Sequence, residues 1–123
     1  MRTIQITRKG QFQGAAVQYF CVLNLERSIN ELRRLRAMRD RFVSGDIKEF
    51  ANASTQIVPL SAGQSVSLEV NEEEHTLFVV AFPFSQRAMY SQEIRIPKGE
   101  ADLHYLVKQK IGLLTNSLTL QEM

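Results

Sequence analysis

One cysteine, Cys21, stands in the 123 residues of this chain. An intramolecular disulfide is thereby excluded, and a reducing compartment is the simpler expectation. The start of the chain, MRTIQITRKGQFQ, has no continuous apolar core. It fits neither a secretion signal nor a membrane span. Nor do small residues precede Cys21, in QYFCVLN, as they would at a lipoprotein cleavage site. The formal charge is only +2, too small an excess for the field of the whole molecule to gather nucleic acid. These absences together predict a cytoplasmic protein with no membrane contact.

Catalytic signatures are missing too. The six glycines are Gly10, Gly14, Gly45, Gly63, Gly99 and Gly112, none spaced as a phosphate-cradling loop. His104 follows Asp102 by two residues, but no G-x-S-x-G elbow supplies a nucleophile for a hydrolytic triad. His75 comes directly after Glu72, Glu73 and Glu74, a combination that could ligate a metal. Consecutive strand residues point to opposite faces, however, and three acids in a turn read as a solvated loop. Cys21 falls on the apolar side of a strand, where a thiol behaves as a small inert hydrophobe. No catalytic set, metal or cofactor is expected, and the chain does not read as an enzyme.

What is present is an ordinary globular composition, 44% hydrophobic and 23% charged, in a length that suits one domain over residues 1–123. Most of it runs in period two. Ile4 and Ile6 alternate with Gln5 and Thr7, and Val17, Tyr19, Cys21, Leu23 and Leu25 share one face of a longer run. Val66, Leu68 and Val70 alternate with Ser65, Ser67 and Glu69, and Ile94 and Ile96 with Glu93 and Arg95. HTLFVVAF, residues 75–82, is apolar almost throughout and predicts a central strand buried on both faces. Runs at 56–60, 103–110 and 118–121, with turns at SAGQ, NEEE and PKGEAD, complete seven or eight strands. The pattern predicts a mainly β, antiparallel, immunoglobulin-like sandwich, with a partly closed barrel as the alternative.

The exception is RSINELRRLRAMRDR. Ser28 and Glu31 form a capping-box pattern, and Ser44-Gly45 supplies a stop, so a helix is predicted over about residues 28–43, inserted between the second and third strands. Residues 26–41 hold six arginines against three acids, a local excess of +3. Ile29, Leu32, Leu35, Met38, Phe42 and Val43 fall on one half of the wheel, and Arg27, Arg33, Arg34 and Arg41 on the other. The helix is read as chiefly structural, docked on the sheet. Those four arginines are the candidate polyanion contacts of the alternative reading, a nucleic-acid-binding protein. In AFPFSQRAMY, residues 81–90, Phe82, Phe84, Met89 and Tyr90 crowd a connection broken by Pro83. They are either a lid on the core or a partner surface.

With the strands placed, the stretches ITRKGQFQGAAVQYFCVLN, LSAGQSVSLEVNEEEHTLFVVA and YSQEIRIP resemble small bacterial PEGA-like and related β-sandwich domains. The matching positions are Arg8, Gly14, Val17, Leu60, Gly63 and His75. The chain departs from that pattern by a helix where those modules have a tight turn, and by lacking a lipid-attachment signal. The resemblance implies a non-enzymatic accessory domain. The reading that follows is an interaction or self-assembly module of a bacterial cytoplasmic protein, partnered by copies of itself or by another protein.

Overall fold

The computed structural model describes residues 1–9, 18–25, 53–81, 89–111 and 116–123. They form nine strands: β1 (Arg2–Arg8), β2 (Tyr19–Leu23), β3 (Gln56–Leu60), β4 (Ser65–Val70), β5 (His75–Ala81), β6 (Met89–Tyr90), β7 (Ile94–Ile96), β8 (Leu103–Ile111) and β9 (Asn116–Glu122). One sheet has the order β4-β1-β8-β9; the other runs β3-β2-β5-β6, with β7 on the same side of β5 as β6. No helix occurs among the described residues. The helix predicted over 28–43 lies outside them.

The four-stranded sheet bears out the alternation. Along β1 the burial alternates strictly, with Ile4 and Ile6 at 0% exposure. Leu68 and Val70 point the same way from β4, and Tyr105 and Val107 from β8. The five-stranded sheet does not alternate. All five residues of β2 are buried, and so are all of β5 except Thr76. Tyr19, Cys21, Leu23, Leu77, Val79 and Ala81 join the core shared with the first sheet. Their neighbours Phe20, Val22, Phe78 and Val80 face the other way and are buried as well. The run at 75–81 is thus the central, doubly buried strand that its composition predicts.

One expectation is corrected. The sheets are not wholly antiparallel: β1 pairs with β8 in parallel, Ile6 opposite Tyr105. After β7 the chain crosses from one sheet to the other at the end where β1 begins, so β8 starts beside β1 and runs with it. Alternation reports which face a residue takes, and strand direction leaves no trace in it.

β1 carries a second consequence of parity. Arg2 and Arg8 stand in register with Ile4 and Ile6 and also point inward, at 4% and 3% exposure. Each lies at one end of the strand, where its guanidinium reaches carbonyls on the rim. Arg2 Nη2 donates to Pro97 O at 2.6 Å. Arg8 Nη1 donates to Leu60 O at 3.1 Å, and the guanidinium stacks 3.4 Å above the Tyr19 ring. A buried cation is tolerated when most of its donors are engaged; Arg2 Nε is buried without a hydrogen-bond partner among the described residues, and the two guanidiniums close the ends of the core.

Candidate functional site

At the Arg2 end, the turn after β2 meets the turn before β5. Asn24 takes φ of 55°, a left-handed conformation that asparagine tolerates better than most residues. Its backbone N–H donates to Thr76 O, and its Oδ1 accepts from the Thr76 N–H, both at 2.9 Å. Because Oδ1 is committed in this way, Nδ2 turns to His75 Nδ1 at 2.8 Å and to Ser54 O at 3.3 Å. Thr55 Oγ1 donates to Asn24 O at 2.6 Å. His75 Nδ1 therefore accepts, and Nε2 carries the proton it gives to Asn71 O at 3.1 Å. The result is a polar clamp where the chain enters and leaves residues 26–52. Beside it opens a pocket of about 290 Å³, lined in part by Asn24, Ser54, Glu73, Glu74 and His75.

This arrangement engages His75 within the fold and leaves the three acids that precede it in solvent. Glu72, Glu73 and Glu74 are exposed, whereas His75 is 5% exposed with both ring nitrogens engaged. Glu74 pairs with Arg95 at 3.3 Å. Among the described residues no group of three histidine, cysteine or acidic side chains is placed to hold an ion.

On the wet face of the first sheet, Ser65 Oγ, Thr7 Oγ1 and His104 Nε2 form a chain with spacings of 2.6 and 2.8 Å. A nearby hollow of about 250 Å³ includes Gln5, Asp102, His104 and Glu122. Asp102 does not orient the imidazole: its Oδ1 accepts from the Thr3 N–H at 2.8 Å. The serine that a triad would need sits one residue away from His104, behind Thr7, on an open sheet surface.

The remaining candidates divide. Met89 and Tyr90 are buried, at 7% and 9% exposure, and the Tyr90 ring lies 6.4 Å from that of Phe78. Phe82 and Phe84 lie outside the described residues, as do Arg27, Arg33, Arg34 and Arg41. Cys21 is wholly buried, and desolvation pushes its thiol up to about 12. Burial also raises the Tyr19 phenol, against the pull of Arg8, and lowers the Arg8 guanidinium. The clamp at Asn24 and the inward arginines went unread in the sequence. For the arginines a signal existed, since positions 2 and 8 share the parity of Ile4 and Ile6. For Asn24 there was none, because its partners come from residues 30 to 52 positions away.

No protein-family model and no curated protein matches the chain. Two solved structures are similar to it. The type VI secretion lipoprotein TssJ1 from Pseudomonas aeruginosa aligns over 98% of this chain and 94% of its own, at 14% identity and a TM-score of 0.47. Lip from Serratia marcescens, a membrane-bound component of the type VI secretion system, aligns over 99% and 94%, at 11% identity and a TM-score of 0.49. At these values the likeness carries no argument about activity. TssJ1 is described as a lipoprotein and Lip as membrane-bound, and the expectation of a cytoplasmic module without membrane contact is corrected against those descriptions. The expected absence of a membrane among its partners falls with it, and nothing in the likeness supports the nucleic-acid alternative. The physical reason is that the alternating run after Met1 is strand β1, which speaks for a sheet and not for a compartment.

Proposed function

We propose that the chain is a non-enzymatic, immunoglobulin-like β-sandwich that serves as a structural component of a membrane-associated assembly. The observation that supports the non-enzymatic part is the commitment to the fold of reactive groups among the described residues. Cys21 is sealed in the core, His75 has both nitrogens engaged, Arg2 and Arg8 hold rim carbonyls, and Asp102 caps a backbone N–H. Catalysis needs a nucleophile, acid or base that a substrate can reach in a concave site, with a partner that orients it. Here the reachable imidazole, His104, is bonded to a threonine on an open sheet.

The membrane setting is the one named for Lip, with TssJ1 named as a lipoprotein, and it enters as the place to look. Fractionation of the producing cells, with the chain followed by antibody and its neighbours captured by cross-linking, tests it. Recovery in the membrane fraction within a larger cross-linked complex is the expected result. Recovery wholly in the soluble fraction, without cross-linked partners, would remove the setting. A turnover activity that disappears in His104→Ala while the melting temperature stays unchanged would remove the non-enzymatic reading.

A further inference from the structure

Among the described residues β9 ends the four-stranded sheet, at the corner where it meets β6 of the other sheet. An edge strand at such a corner directs half of its backbone groups away from its own sheet, where another chain can pair with them. Leu120 of β9 stands opposite Val107 of β8, with its N–H and C=O directed outward. One side chain takes both groups. Gln92 Nε2 donates to Leu120 O at 2.7 Å, and the Leu120 N–H donates to Gln92 Oε1 at 3.2 Å. A primary amide presents the donor and acceptor of a peptide group, so Gln92 does for Leu120 what a residue of an adjoining strand would do.

The break between β6 and β7 makes this reach possible. Ser91 N–H donates to Val79 O, but the Val79 N–H is met by Ser91 Oγ in place of a backbone carbonyl, each at 2.8 Å. Ser91 Oγ in turn donates to Gln92 O at 3.0 Å. Its side chain keeps β5 satisfied through the interruption, while the next residue turns out of the sheet toward β9.

We infer that Gln92 is a latch on a strand-acceptor site: the β9 edge is built to pair with an extended peptide, and the Gln92 amide occupies it. A strand with the sequence of β9 itself fits that edge. Laid antiparallel about Thr119, it sets Leu118 against Leu120 on the core side and Asn116 against Glu122, with no like charges opposed. The inference is independent of the proposed function.

The test compares wild type with Gln92→Met, which keeps the length of the side chain and loses both hydrogen bonds, and with Gln92→Ala. The readouts are hydrogen exchange at the Leu120 amide and anisotropy of a labelled peptide, NSLTLQE. In Gln92→Met, exchange at Leu120 quickens roughly tenfold or more relative to that at Val79, and the peptide binds the variant but not wild type. Unchanged exchange at Leu120 overturns the latch. Quickened exchange without peptide binding, or equal binding to wild type, overturns the strand-acceptor site. If Gln92→Ala fails to fold, the methionine variant still decides.

Discussion

Asn24 ties the turn after β2 to the turn before β5 through both its side chain and its backbone. Its side chain holds Thr76, Ser54 and His75 together, and its backbone occupies a conformation that alanine resists. Asn24→Ala should therefore cost about 2–4 kcal/mol, combining lost hydrogen bonds with left-handed strain. Asn24→Gly should cost less, because glycine relieves the strain and loses only the bonds. Urea denaturation of the two variants measures the difference, and equal losses would show that the backbone conformation contributes nothing. At the same scale, Cys21 predicts inertness. With its thiol buried and pushed up to about 12, it should resist iodoacetamide in the native protein and react only after unfolding. Stoichiometric labelling under native conditions would contradict its placement.

Among the elements, the two sheets make opposite predictions for adjacent residues. In β1, Ile6→Ala should cost about 2–5 kcal/mol and Gln5→Ala within about 0.5 kcal/mol, since one faces the core and the other the wet side. In β5, Leu77 and Phe78 are both buried though they point to opposite faces. Leu77→Ala should cost about 2–5 kcal/mol and Phe78→Ala about 3–5 kcal/mol. Melting midpoints of the four variants check this, and a strong alternation in β5 would mean that its second face is not packed. The elements were largely legible in advance. The strand at 56–60 appears with the boundaries its pattern implied, and the runs at 66–70, 94–96 and 103–110 lie within or on β4, β7 and β8. β6 was not separable, because two residues are too few to carry a period.

For the whole molecule, the buried acids of high pKa set an alkaline limit. Cys21 rises from 9.0 to about 12 by desolvation, and burial also raises Tyr19 and Tyr105. In each the folded state binds the proton more tightly than the unfolded one. The stabilisation is complete below the unfolded pKa and is lost as pH climbs toward the folded value. Cys21 alone would remove up to about 4 kcal/mol across that window. The melting temperature should be flat near neutrality and fall steeply from about pH 9 upward, with a shallower fall in Cys21→Ala. An identical fall in both proteins would assign the effect to the tyrosines.

By itself the sequence determined which faces are wet, which strand is central, and which familiar catalytic motifs are missing, because alternation and composition are local properties read within a few residues. Only the tertiary structure decided that β1 and β8 run parallel, that Arg2 and Arg8 close the core, that Asn24 locks His75 into one tautomer, and that Gln92 holds the β9 edge. Each of these joins groups 28 to 99 residues apart, or rests on chain direction, and a hydrogen bond between distant residues leaves no period in the chain. Burial follows from the residue's own chemistry, whereas partnership follows from where the rest of the chain brings its donors and acceptors.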